Sequence, residues 1–269
     1  MRSYSSKISL SKNSRGIWYL DPSAGCSAGT KDDKRGCYMD CYSARIARIY
    51  GYDFTKTVLR DFESTQHRAE IIAAINKIDL PFIRMGNSGD PSEDWPHTFK
   101  ICADISDGLK RLQLSLFEPV VPKWIVIITR HFTTIPDHYL PLLKQYHICI
   151  NTSISAVDDP ARLLHCLDQY NRIAPYCKSI LRVVTFDFDT DTEQGKKYKA
   201  IQDNLLKNKG VIDTVFRPSK ANPMLKSGLI LAEKKRFIGR ETLVSKHDKR
   251  VFMGKCQNCL EMCGVTVNT

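Results

Sequence analysis

Six short β-branched runs recur along this chain, each separated from the next by a longer stretch with apolar residues at helical spacing. They read "GIWYLD", "FIRMGNS", "WIVIITR", "HICINTSIS", "SILRVVTFD" and "VIDTVFRPS". Runs of four to eight such residues are strands, and strands that alternate with helices lie parallel in one sheet because each crossover must return the chain to the starting edge. The stretches between them read as helices: "CYSARIARIYGYDF", a helix followed by an ordered turn, then "TVLRDFESTQHRAEIIAAINKI", "FKICADISDGLKRL", "PDHYLPLLKQY", "DPARLLHCLDQYNRI" and "KKYKAIQDNLLKNKG". The last ends at Gly210, where a helix C-cap is expected.

Six strand–helix units in 269 residues predict an α/β fold, a partial (βα)6 barrel of the TIM type. The barrel should occupy residues 1–225, followed by a basic, cysteine-containing C-terminal extension over 226–269. Hydrophobic residues at 42% against 26% charged exclude a disordered chain. The N-terminus lacks the apolar core of a signal peptide, and no run approaches the roughly 18 apolar residues of a membrane span, so a cytoplasmic protein without membrane contact is expected.

In such folds reactive groups gather at the C-terminal ends of the strands. The unusual residues fall there. Cys26, Cys37 and Cys41 follow the first run, Asn87, Ser88, Gly89 and Asp90 the second, and Thr129 and Arg130 the third. Asn151, Ser153 and Ser155 lie on the fourth, Arg182 on the fifth and Arg217 on the sixth.

Ten cysteines in a reducing compartment are unlike a disulfide framework, so clustered ones read as metal ligands or redox groups. Three thiols between residues 26 and 41 are one short of a closed zinc site. A second triplet, Cys256, Cys259 and Cys263 in "GKCQNCLEMCG", has metal spacing at its first pair. It suits an auxiliary iron–sulfur cluster, a structural zinc or a thiol-rich tail. Cys102, Cys149, Cys166 and Cys177 sit among apolar neighbours and are read as buried packing.

A cysteine loop ending in "CY" after the first strand resembles the radical S-adenosylmethionine (SAM) superfamily, especially its phage-encoded branches. The resemblance implies that Cys26, Cys37 and Cys41 hold a [4Fe-4S] cluster, with one iron left open for the amino and carboxylate groups of SAM. It implies cleavage to methionine and a 5'-deoxyadenosyl radical that takes hydrogen from a substrate, with a reductant such as flavodoxin or ferredoxin. By position Asn87, Ser88, Gly89 and Asp90 match the loop that contacts the methionine amino group; a glycine turn before Pro91 accounts for the same residues. The spacing departs from the family's C-x3-C-x2-C, since ten residues separate Cys26 from Cys37 and three separate Cys37 from Cys41.

The other candidate cofactor-binding residues have two readings each. Thr129 sits at a strand end facing the same loops. Asn151, Ser153 and Ser155 alternate with apolar residues and offer one polar strand face, either to ribose or carboxylate or to one another. Arg182 and Arg217, like Arg130, serve as an anion clamp or as ion pairs at the core edge. A formal charge of +11, dense between Lys226 and Arg250, favours a polyanionic partner or a solvated basic surface. With the family resemblance it points to a nucleic-acid base or nucleotide as substrate. The competing class is a zinc-binding, nucleic-acid-binding protein without catalysis, in which both cysteine triplets are structural.

Overall fold

The computed structural model describes residues 1–13, 16–116, 123–208, 211–232 and 262–266. Cys256, Cys259, Gly210 and most of the basic stretch lie outside the described residues.

Each of the six β-branched runs contains a strand. A seven-stranded sheet is built from β1 (Ser11–Lys12), β2 (Trp18–Tyr19), β5 (Phe82–Met85), β6 (Trp124–Thr129), β7 (Ile148–Ser155), β8 (Lys178–Thr185) and β9 (Val211–Val215). From β2 to β9 all neighbours are parallel, and their order across the sheet follows their order in the chain. Strand β1 pairs antiparallel with β2 at the edge, an addition that two residues of polar sequence did not announce. A separate antiparallel ribbon joins β3 (Ser23–Ala24) to β4 (Val58–Leu59).

The helices are α1 (Tyr42–Ile49), α2 (Thr65–Asn76), α3 (Trp95–Leu116), α4 (Leu140–Gln145), α5 (Pro160–Ile173), α6 (Glu193–Leu205) and α7 (Pro223–Lys226). Their starts are set by side-chain caps that occupy otherwise unpaired first-turn amides. Ser64 Oγ accepts from His67 N at 3.1 Å, Asp159 Oδ1 from Ala161 N at 2.9 Å with Pro160 next to it, and Thr192 Oγ1 from Gly195 N at 3.0 Å. The Ser64 cap also corrects one expectation: the stretch from Thr57 to Ile78 is not one helix. Val58 and Leu59 pair with β3 before the cap, and α2 begins only after it.

Strand alternation divides the sheet into two chemically different faces. On β7 and β8 one face presents Ile154, Leu181 and Val183, which pack with Cys166 of α5 and Leu205 of α6. Burying a side chain of this size is worth about 1.5–3 kcal/mol. A larger core joins Phe82, Ile83 and Met85 of β5 to Val126 and Ile127 of β6 and to Phe99, Ile101 and Ile105 of α3. The opposite face of β7 and β8 carries Asn151, Ser153 and Arg182. Polar side chains survive there because they bond one another. Arg182 donates from Nη2 to Asn151 Oδ1 and from Nη1 to Thr214 Oγ1, both at 2.9 Å.

The segment at 262–266 returns to this sheet near the N-terminal ends of its strands. Asn151 Nδ2 donates to the Cys263 carbonyl at 2.9 Å, Lys178 Nζ donates to the Val265 carbonyl at 2.6 Å, and Val265 is buried in the main core. Among the described residues no helix is long and apolar enough to cross a membrane.

Candidate functional site

At the C-terminal ends of the parallel strands lies a cavity of about 1180 Å³. Each of the six parallel strands reaches its wall: Tyr19, Arg84, Ile128 with Thr129, Ser153, Val184, and Thr214 with Val215. Above this floor the loops contribute Cys26, Cys37 and Cys41, the run from Gly86 to Asp90, Arg130 and Arg217.

Cys26 is brought to the cavity by the β3–β4 ribbon and by close backbone packing. Gly25 N donates to Ser88 O at 3.0 Å, and Cys26 N donates to Phe54 O at 2.8 Å. Gly25 has φ +79°, and a Cβ there would lie 2.0 Å from the Lys56 carbonyl oxygen, so only glycine fits. The ten residues between Cys26 and Cys37 do not hang free. Glu93 accepts from Ala28 N at 3.1 Å, from Ser27 Oγ at 2.8 Å and from Ser27 N at 3.3 Å, and it also accepts from Thr57 Oγ1. Asp33 holds Arg35 through both carboxylate oxygens. Short 3-10 turns at Ala28–Thr30 and Cys37–Met39 then deliver Cys37.

The three thiols are free, and a glycine leaves room beside two of them. A Cβ on Gly29 would sit 2.6 Å from Cys26 Sγ and 3.6 Å from Cys37 Sγ. Cys41 stands at the N-cap of α1, and a Cβ on Gly36 would lie 2.6 Å from its Cβ and 3.6 Å from its Sγ. As placed, no three His, Cys, Asp or Glu side chains among the described residues converge closely enough to hold a single metal ion.

Burial dominates the electrostatics of this group. It pushes the Cys37 thiol up to about 11 against the opposing pull of the Arg130 guanidinium. It raises Cys41 despite amides of Ala44 and Ser43 at the helix start, and it raises Cys26, where Asp90 and Glu93 add like charge. Thiols held this way are protonated at neutral pH and release protons when a metal binds.

The loop after β5 is shaped by a residue that sequence reasoning passed over. Asp21, 2% exposed, ends the first β-branched run and accepts three backbone amides: Gly86 N and Asn87 N at 2.9 Å on Oδ1, and Ser88 N at 2.8 Å on Oδ2. Burial pushes this carboxyl up, and the amides and Arg84 oppose it. Asp90 is spent in the same way. Its Oδ1 accepts from Ser92 N, Ser92 Oγ and Thr129 Oγ1 at 2.6–2.9 Å, and its Oδ2 accepts from Arg130 N at 2.8 Å. Asp90 and Thr129 therefore build the loop, while the edges of Asn87, Ser88 and Gly89 face the cavity. Arg84 donates to Asn87 Oδ1 at 2.9 Å, and its buried Nε has no partner.

A cluster on the far wall ties the cysteine loop to the end of the sheet. Arg130 pairs with the buried Asp158 at 2.6 Å, lies 4.7 Å from the Tyr38 ring centroid and donates to the Tyr38 hydroxyl. Tyr38 packs edge-on to Phe186 and Phe216, and its carbonyl accepts from Asn222 Nδ2 at 3.0 Å. Asp40 accepts from Ser219 N. The loop after β2 is thus bonded to the loop after β9.

Of the residues named from sequence, Cys26, Cys37, Cys41, Asn87, Ser88, Gly89, Asp90, Thr129, Ser153 and Arg217 meet at this cavity. Asn151 and Arg182 do not line it; they form the polar layer beneath. Ser155 is buried at the end of β7, where its amide donates to Asp158 Oδ2 at 2.7 Å. Cys263 packs by Cys149 toward the other end of the strands. Asp21, Arg84 and Glu93 were missed. The one available signal was position, since Asp21 ends a predicted strand and Glu93 follows Pro91 in the loop already singled out.

No protein-family profile, curated protein or solved structure matches this chain.

Proposed function

We propose that this chain is a radical SAM enzyme on a partial (βα)6 barrel, with Cys26, Cys37 and Cys41 as the ligands of a [4Fe-4S] cluster. One observation carries the reading: three free thiols, Cys26 buried and Cys37 and Cys41 half-buried, share one cavity with the Gly86–Asp90 loop at the C-terminal ends of six parallel strands. Sheet order supports the barrel. Strands spaced about 4.8 Å apart would put β2 and β9 roughly 24 Å from each other in a flat sheet. Tyr19 and Thr214 nevertheless line the same cavity, and Asp40 bonds Ser219 across it. A doubly wound sheet would instead reverse its strand order, and this one does not.

The donor set supports a cluster over zinc. The sulfurs are soft ligands, and the nearby carboxylates of Asp90 and Glu93, from which a zinc site could draw its fourth ligand, are engaged by amides and hydroxyls. The chemistry such a cluster supplies is one-electron cleavage of SAM to methionine and a 5'-deoxyadenosyl radical.

The chain's own residues bind and orient. The carbonyls of Asn87 and Ser88 stand at the cavity wall and already accept from Ser43 Oγ at 2.5 Å and Gly25 N at 3.0 Å, so each offers a methionine ammonium only its second lone pair. Arg84 and Arg217 suit a carboxylate or phosphate. The Tyr38–Phe186–Phe216 packing shields the cysteine side of the cavity from water. Electrons would come from a flavodoxin or ferredoxin, and the substrate is a nucleic-acid base or nucleotide.

The test is anaerobic reconstitution with iron and sulfide, then reduction and electron paramagnetic resonance with and without SAM. A reduced four-iron signal that changes on adding SAM is the expected result. Stoichiometric zinc and no iron signal would overturn the proposal and leave a zinc protein without radical chemistry.

A further inference from the structure

Helix α1 has two apolar stripes, and only one of them is used by the core. Ala44 and Ala47 are buried against Cys26 and Phe54. At the complementary spacing Tyr42, Ile49 and Tyr50 stand 63%, 69% and 64% exposed, with Ile46 between them. Folding gains nothing from large apolar side chains in water, so a stripe of them marks a contact surface.

Arginines interleave with these rings. The Arg45 guanidinium lies 5.7 Å from the Tyr42 ring centroid. Beside α1, Tyr4 and Tyr52 stack at 4.7 Å with their planes 8° apart, and Arg60 lies 5.9 Å from the Tyr4 ring. Arg2, Arg48 and Arg217 are exposed close by in the fold or on the same helix. Tyr42, Arg45 and Tyr50 belong to the wall of the large cavity, as do Tyr4 and Tyr52, so the surface runs into the mouth of the site. The carboxylates on that wall are already engaged, Asp40 by Ser219 N and Asp90 by four donors.

We infer that this surface docks a single nucleic-acid strand, its bases stacked on Tyr42 and Tyr50 and its phosphates held by the arginines, with one base turned into the cavity. Aromatic rings alternating with cations suit a ligand that alternates π faces with anions, as a nucleic-acid strand does. An apolar peptide would leave the arginines unanswered, and a stacked duplex would hide its base atoms from the cavity. The inference names the substrate class for the radical chemistry proposed above and rests on that reading for what happens to the base. The docking itself needs neither cluster nor SAM.

The experiment is fluorescence anisotropy of the full, metal-free chain with labelled oligo(dT) and oligo(U) of about 12 nucleotides in about 50 mM salt, with heparin as a base-free polyanion. Tyr42→Ala and Tyr50→Ala should each weaken binding about 5- to 100-fold. Arg45→Glu should flatten the dependence of log affinity on log salt. These side chains are exposed, so the variants should keep the wild-type circular dichroism and melting temperature. Leu164→Ala, exposed on α5 away from the cavity, should bind as wild type. Failure of both oligomers to bind would overturn the inference. Unchanged affinity in the Tyr42→Ala, Tyr50→Ala double variant, or heparin competing as well as oligo(dT) at equal charge, would do the same. A missing iron signal with intact oligonucleotide binding would instead overturn the radical reading alone.

Discussion

Replacing Asp21 by Asn keeps the volume of the side chain and removes its symmetry as an acceptor. The carboxylate takes two amides on one oxygen and a third on the other, at 2.8–2.9 Å, in a site 2% exposed. An asparagine that keeps its oxygen toward Gly86 N and Asn87 N must point its NH2 at Ser88 N, donor against donor. One charge-assisted bond is lost and a buried amide is left unpaired, each worth about 1–3 kcal/mol, so the expected loss is about 3 kcal/mol. The damage should travel. Ser88 O accepts from Gly25 N, and Gly25 precedes Cys26, so the first thiol loosens when the loop does. Urea unfolding at neutral pH, followed by tryptophan fluorescence, reads the stability. Alkylation of the metal-free protein with iodoacetamide, mapped by mass spectrometry, should show Cys26 reacting faster in the variant. A stability loss under about 1 kcal/mol, together with unchanged Cys26 reactivity, would refute the view that Asp21 organises this loop.

Two further outcomes follow from the same geometry. Gly29→Ala would place a methyl 2.6 Å from Cys26 Sγ, so iron bound per chain after reconstitution should fall well below the wild-type value while stability drops by about 1–3 kcal/mol; full iron loading in this variant would show that the space between the thiols is not the metal site. His131 is buried, with Nε2 3.0 Å from Thr152 Oγ1, and burial together with His165, Arg162 and Arg172 pushes its pKa down to about 3. Its neutral form therefore contributes stability above about 6.5 that is lost as pH falls toward 3, at up to about 1.4 kcal/mol per pH unit. Urea midpoints of wild type and His131→Gln should converge as pH drops from 7 to about 4, and parallel curves would exclude His131 as the source.

The positions of the six parallel strands and their burial pattern were legible because they depend on neighbours in sequence. "WIVIITR", "HICINTSIS" and "SILRVVTFD" become β6, β7 and β8 since a β-branched run of that length has few other uses, and the caps at Ser64, Asp159 and Thr192 act within three residues. Cys26, Cys37, Cys41 and the loop from Asn87 to Asp90 were found at the cavity for the same reason: strand ends in a parallel sheet share one side, whatever the details of packing.

What stayed hidden depends on partners distant in the chain. Asp21 reads as a strand-ending residue until its three amides are found 65 to 67 positions away. Glu93 reads as a loop acid until it holds Ser27 and Ala28. Tyr4, Tyr42, Tyr50 and Tyr52 are ordinary aromatics in sequence, and only the packing of α1 on Cys26 and Phe54 turns two of them outward and stacks the other two. Asn151 and Arg182, offered as ligand groups by alternation alone, are instead spent on each other and on Thr214. Periodicity determined which residues face which side of each element, because backbone geometry repeats locally. Which polar groups remain available to a ligand was decided only by tertiary contacts, because a hydrogen bond consumes its donor and acceptor wherever in the chain they come from.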